Sequence, residues 1–197
     1  MSKNLKLKII VGSVRKQRFG DKAGHWILEK AKKKGFDAEL LDLRDWPFPF
    51  YDEPTSAAFV TNGAYPSAIA QKWAEKIKEA DAFIAVSPEY NHSTSAALKN
   101  AFDMIYTEWN NKPIGFVAYG GVGGARAVEH LRGIAVELQM APIRAAVHIP
   151  QPWTMLDKNG DLKAGSLDSF SDGADAFLDQ LTWWTKALKT ARAESAA

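Results

Sequence analysis

Along most of the chain, short and nearly unbroken apolar runs alternate with longer stretches whose apolar residues recur every three or four positions. The runs at 5–11 (LKLKIIV), 37–43 (DAELLDL), 81–87 (DAFIAVS), 113–119 (PIGFVAY) and 142–149 (PIRAAVHI) read as strands. The third is apolar almost throughout, the pattern of a strand covered on both faces. Between them the helical period places Ala23, Trp26, Ile27 and Ala31 on one face of 19–34, and Ile69, Trp73 and Ile77 on one face of 66–79. It continues with Leu98, Ala101, Phe102 and Ile105 in 94–106, and with Val128, Leu131, Ala135 and Leu138 in 124–139. A last helix over 167–191 buries Phe170, Ala174, Phe177, Leu181, Trp184 and Leu188. Five strands alternating with five helices predict a three-layer α/β protein with a parallel sheet, whose right-handed crossovers leave few topologies. No internal repeat or linker divides the chain, so 1–197 reads as one domain, with the tail 190–197 expected to fray.

Two segments escape this alternation. The stretch 44–66 (RDWPFPFYDEPTSAAFVTNGAYP) is too long for an idle connection, and its aromatic residues argue against disorder. It reads as a lid over a site, as cover for a core edge, or as a surface that meets a second subunit. The segment 150–166 is a second candidate rim.

Composition narrows the classes. A formal net charge of +2 over 197 residues gives no bulk electrostatic case for nucleic acid. With no cysteine, disulfides, thiolate metal sites and cysteine nucleophiles are excluded. The N-terminal MSKNLKLKII lacks the features of a signal peptide, and no apolar run approaches the roughly 20 residues a membrane helix needs. A cytoplasmic protein without a membrane partner is the expectation.

In open α/β sheets, ligands bind outside the carboxyl ends of the strands at the switch point. That rule selects three loops. The first, VGSVRKQRFG at 11–20, offers Ser13, Arg15 and Arg18 at the start of a helix, where backbone amides and the helix dipole attract an anion. It also reads as an ordinary turn carrying two solvated arginines. The second, SPEYNHSTS at 87–95, leaves the strand at Pro88 and sets Glu89, Tyr90, Asn91 and His92 before a Ser/Thr helix cap. Such a loop suits the edge of a flat heterocycle, or is only a capped, solvated turn. The third, YGGVGGAR at 119–126, resembles a dinucleotide fingerprint but follows the fourth strand and lacks the acidic residue about 20 positions on. It reads as a backbone surface for close approach.

Other chemistries find no support. There is no G-x-x-x-x-G-K-[ST], no G-x-G-x-x-G after the first strand, no H-E-x-x-H and no G-x-S-x-G. His25, His92, His130 and His148 are scattered, and no nucleophile–base pair is evident, which points to a cofactor as the carrier of the chemistry.

The ordered segments GSVRKQRFG, DLRDWPFPFYDEP, SPEYNHSTSAALKNAFD and YGGVGG resemble the NADPH-dependent FMN reductases of the flavodoxin-like fold over residues 5 to 150. The resemblance implies the sheet order 2-1-3-4-5. It implies FMN with its phosphate in the first loop, held by Ser13, Arg15, Gln17, Arg18 and the backbone around Phe19 and Gly20. Pro88, Glu89, Tyr90, Asn91 and Ser93 would border the isoalloxazine ring, largely through backbone groups, and Tyr119, Gly120 and Gly121 would line its other edge. Where some of that family carry a serine near position 18 or 19, Arg18 implies a more cationic phosphate shell. The implied reaction is ping-pong: NADPH or NADH reduces the flavin, which then reduces free flavin, a quinone, an azo dye, a nitroaromatic or chromate, with no catalytic side chain. A homodimer or homotetramer is implied, with 94–106 and the aromatic loop as its interface. Two other readings stay open: an FMN electron carrier that does not oxidise NAD(P)H, and a non-enzymatic module binding another phosphorylated ligand. The slightly basic chain speaks against the first, since such carriers are strongly acidic.

Overall fold

A computed structural model describes residues 5–195. Strands β1 (Lys6–Val11), β2 (Asp37–Asp42), β3 (Ala82–Pro88), β4 (Pro113–Gly120) and β5 (Ala141–Pro150) form one parallel sheet in the order β2-β1-β3-β4-β5. Helices α1 (Gly20–Lys33) and α5 (Ser171–Ser195) cover one face, and α2 (Ala68–Lys78), α3 (Ala96–Asp103) and α4 (Ala125–Glu137) the other. The chain leaves β1 for β2 and then crosses back to β3, so the switch point lies between the carboxyl ends of β1 and β3. Every residue of β3 is buried, as its unbroken apolar run requires.

Helix ends are set by local chemistry. After α1, Gly35 takes φ +94°, and the amides of Gly35 and Phe36 close on the carbonyls of Lys32 (2.9 Å) and Ala31 (3.1 Å). α4 ends in the same geometry, Gln139 to Val136 and Met140 to Ala135, but with Gln139 at φ +54°. A side chain there costs roughly 1–2 kcal/mol that glycine does not. Gln139→Gly is therefore expected to raise unfolding stability by about 1 kcal/mol, net of glycine's own entropy. A denaturant melt with no gain, or a loss, would contradict this.

Under the α2–α4 face, Trp109 lies edge-on to Trp73 (6.1 Å between centroids), Phe83 (4.9 Å) and Phe102 (5.2 Å). The irregular segment 44–66 continues this cluster, with Trp46 4.8 Å and Phe48 5.6 Å from Trp73. Asn100 of α3 clamps it, accepting from the Tyr51 amide (3.1 Å) and donating to the Pro49 carbonyl (2.8 Å). Of the three uses open to this segment, covering a core edge is realised by Trp46 and Phe48. Phe50 and Phe59 remain exposed on its outer side.

The expected fraying from residue 190 is corrected. α5 continues to Ser195 because Lys189 and Arg192 both reach Asp81, and Arg192 donates to the Asn111 carbonyl (2.6 Å). Residues 196–197 of that tail lie outside the described residues. No described helix is long and apolar enough to cross a membrane, and no group of three or more histidine or acidic side chains among the described residues could hold a metal ion.

Candidate functional site

The first loop is fastened before it begins. The Gly12 amide continues the sheet to the Val86 carbonyl (2.9 Å), and a Cβ on Gly12 would stand 2.8 Å from Leu98 Cδ2, so glycine lets the chain lie against α3. Ser95, which caps α3, donates its hydroxyl to the Gly12 carbonyl.

Beyond Gly12, the Ser13 hydroxyl meets the Tyr90 hydroxyl at 2.8 Å, and the Arg15 guanidinium lies 5.8 Å from the centre of the Tyr90 ring. Gln17 sits at φ +51°, which turns the chain into α1. Phe19 at the helix N-cap supplies no side-chain cap, and the amides of Gly20 and Asp21 find no acceptor among the described residues. Two free amides at the positive end of a helix dipole, beside a hydroxyl and an exposed guanidinium, are groups that can hold an anion.

Arg18 borders the cavity that the three loops enclose, but its charge is already paired. Its guanidinium is buried and spans the Asp42 carboxylate, with one contact at 2.8 Å, and it also donates to the Ser13 carbonyl. Its Nε lies 3.7 Å from Asp21 Oδ1. Its charge is thus cancelled, and the expectation of a more cationic phosphate shell is corrected: Arg18 shapes the loop from beneath. Burial alone would raise the Asp42 carboxyl, but the hydrogen bonds from Arg18 and from the Arg44 amide (2.9 Å) outweigh it and hold Asp42 below its ordinary value. Arg44 in turn donates to the Arg15 carbonyl and grips the loop from its outer side. Neither Asp42 nor Arg44 was foreseen, although an acid at the end of β2 faces the end of β1, Val11 against Asp42, in the parallel register.

The second loop is a tight turn. Tyr90 and Ser93 exchange backbone hydrogen bonds (2.8 and 3.0 Å) across Asn91 at φ +49° and His92 at φ +71°, a conformation that asparagine and histidine tolerate better than most residues. Glu89 borders the cavity, but its carboxylate is engaged within the protein. Its carboxylate is buried and receives the Arg126 amide (3.1 Å) and Arg126 Nε (2.6 Å) at the start of α4. Burial would raise its carboxyl, but Arg126 prevails and holds it low. His92 Nε2 lies 2.8 Å from Arg126 Nη1, and Ser93 Oγ 3.1 Å from His130 Nδ1.

In the third loop a Cβ on Gly120 would meet Glu89 Cβ at 3.0 Å, and one on Gly124 would meet Ala118 Cβ at 2.6 Å. A Cβ on Gly121 would meet nothing within 4 Å, which leaves its backbone open. Tyr119, with Gly120 and Gly121, borders the cavity that the three loops enclose. Its ring leans edge-on against Phe19 at 5.3 Å, and its hydroxyl reaches under the first loop, 2.7 Å from where a Gly20 Cβ would stand. The missing Gly20 side chain makes that reach possible. The hydroxyl is buried without a partner, and burial pushes the phenol far above its usual range.

A cavity of about 290 Å³ joins the three loops. Eleven of the fourteen expected residues line it; Gly20, Asn91 and Ser93 do not. Pro152, Trp153 and Leu156, from the segment after β5, complete the wall and were marked in the sequence only as a possible rim. A wider depression of about 960 Å³, bordered by Glu75, Lys78, Glu108 and Lys112, lies at the amino ends of the strands, away from all three loops. The smaller cavity has the chemistry: an anion-binding end at Ser13, Arg15 and the α1 amides, and a flat end of open backbone at Gly121 beside Tyr90. Those residues fit a phosphorylated, planar heterocycle.

Comparison with known proteins is consistent with this geometry. A family model described as NADPH-dependent FMN reductase matches residues 5–154. The chain is 38% identical over 149 residues to the NAD(P)H-dependent FMN reductase C4B3.06c of Schizosaccharomyces pombe, covering 74% of each chain. It is 33% identical over 167 residues to the NADPH:quinone oxidoreductase of Arabidopsis thaliana, covering 80% of this chain and 82% of that one. Among solved structures, the flavoenzyme NAD(P)H:(acceptor) oxidoreductase FerB of Paracoccus denitrificans superposes with a TM-score of 0.68 at 22% identity, over 90% of this chain and 97% of its own, a likeness of fold.

Proposed function

Because this chain belongs to the NADPH-dependent FMN reductase family, we propose that it binds FMN in the 290 Å³ cavity and oxidises NADPH or NADH at the expense of a small-molecule acceptor, in two successive half-reactions. The observation that carries this reading is the pairing of an anion end with a flat backbone end in one cavity at the switch point. When bound, the flavin supplies the redox chemistry, accepting hydride from the nicotinamide and releasing electrons to the acceptor. The protein binds and orients. Ser13, Arg15 and the free amides of Gly20 and Asp21 hold the 5′-phosphate, with the Gln17 and Phe19 backbone closing around it. Arg18, Asp42 and Arg44 keep that loop in shape. The backbone of 88–91 and of Gly120 and Gly121 borders the ring, and the ion pair between buried Glu89 and exposed Arg126 fixes both loops to α4. The acceptor is a quinone in the first instance, on the likeness to the Arabidopsis enzyme, with free flavin, azo dyes, nitroaromatics and chromate as further members of the class. The protein works as a cytoplasmic homodimer or homotetramer; sedimentation equilibrium giving a monomer mass would overturn the assembly.

The anion end has a direct test. Arg15→Ala removes one charge-assisted contact, and FMN is expected to bind about 1.5–3 kcal/mol more weakly, roughly ten- to hundredfold, with riboflavin unaffected. Equal losses for both flavins in calorimetry would mean that Arg15 does not read the phosphate. The function itself is tested by titrating the FMN-loaded protein with NADPH and then NADH without oxygen. Bleaching of the flavin band, with colour restored by a quinone, is the expected result. A band that stays yellow would leave an electron carrier supplied by another donor.

A further inference from the structure

The segment after β5 has no part in the function as described so far, yet it is built with care. Gln151 takes φ +48° and ψ +51°, and its amide is tied to the Gly120 carbonyl at 2.9 Å, within the third loop. A 3-10 turn (Pro152–Met155) follows, stiffened by the Thr154 hydroxyl on the Gln151 carbonyl (2.8 Å) and by Lys163 Nζ on the Thr154 carbonyl (2.9 Å). Met155, Leu156 and Leu162 pack on the apolar cluster beneath α1 and α5. In the midst of this anchored turn, Trp153 is 61% exposed and borders the same cavity as Tyr90 and Arg15. A large indole held in water by a backbone pinned on both sides is placed for a ligand, since nothing in the fold itself uses the ring.

We propose that Trp153 is the outer wall of the flavin site, closing over the cofactor from the β5 side and setting how long it stays bound. The proposal rests on the reading of the cavity as an FMN site. Trp153 contributes apolar contact to the organic part of the cofactor and no charge to its phosphate. It is a positioning residue that reads FMN and riboflavin alike, the opposite signature to Arg15.

The test measures dissociation of FMN and of riboflavin from the full-length protein, by stopped-flow recovery of free-flavin fluorescence. Trp153→Ala leaves the core untouched, because the ring is exposed. Release of both flavins is expected to quicken about tenfold, while Trp153→Phe, which keeps an aromatic wall, stays within about threefold of the wild type. Unchanged release from Trp153→Ala, with the wild type still binding FMN, overturns the proposal alone. Faster release of FMN with riboflavin unaltered also overturns it, since the turn would then act only through the phosphate end. A wild type that takes up neither flavin overturns the functional reading, and this one with it.

Discussion

Arg18→Ala is expected to lower unfolding stability by about 2–4 kcal/mol, below the usual range for one half of a buried ion pair because Asp42 keeps some contact with water. The substitution strands the Asp42 carboxylate and frees the Ser13 carbonyl, which Arg18 now holds. The loss has a pH signature. Asp42 sits below its ordinary value in the folded protein, so the folded state binds fewer protons than the unfolded one as acid is added. The pair's contribution is complete above about pH 4, where an unfolded aspartate is ionised, and disappears as pH falls through the lower folded value. Wild type should therefore lose part of its stability as pH falls below about 4, and Arg18→Ala should show a shallower slope there. FMN affinity should fall as well, because the loop loses its support. Arg15→Ala provides the contrast, with weaker FMN and unchanged melting. If Arg18→Ala melted like wild type and kept its FMN affinity, the guanidinium would have no structural role and the pairing with Asp42 would be incidental.

Trp109→Ala should cost about 3–5 kcal/mol, the usual penalty for emptying the space of a fully buried aromatic side chain. Trp109 touches Trp73, Phe83 and Phe102 edge-on, and Trp73 in turn carries Trp46 and Phe48. The loss should extend to the segment 44–51, seen as early proteolytic cleavage there. Its indole N–H is buried without a partner. Trp109→Phe removes that unsatisfied donor along with some volume, and should cost no more than about 1.5 kcal/mol. A Phe variant as damaged as the Ala variant would show that the N–H has a partner after all.

The three inner strands were legible because a parallel sheet covered on both faces writes itself as apolar runs. The part-exposed edge strands β2 and β5 were legible by their place in the alternation, and α1 announced its end through Gly35. The switch point followed from the topology, and with it the three loops. What stayed hidden was the direction of side chains. Glu89 and Arg18 look like ligands in a one-dimensional motif, but each has a partner far along the chain, Arg126 and Asp42, that claims its charge. Tyr119 borders the cavity, but the reach of its hydroxyl under Gly20 depends on a missing Cβ one layer away and is not legible along the chain. The frayed tail was misjudged for the same reason: Asp81, which receives Lys189 and Arg192, is more than a hundred residues distant. Trp153 lay in a segment with no period to read, and only the cavity gave it a place.

One arrangement bears on how the molecule is made. The apolar cluster on the α1 side joins Leu7 and Ile9 of β1 to Ile84, Val117 and Val147, and is sealed by Ala174, Phe177, Leu178 and Leu181 of α5. A growing chain can dock α1, α2, α3 and α4 as they appear, but the part of the α1 face that α5 seals waits for residues 171–195 to leave the ribosome. Until then a wide strip of branched aliphatic side chains faces water, the kind of surface that chaperones bind and that drives nascent chains to aggregate. A ribosome that stalls ahead of α5 leaves a complete sheet with the part of this face beyond α1 uncovered, so the chain is most vulnerable just before α5 emerges.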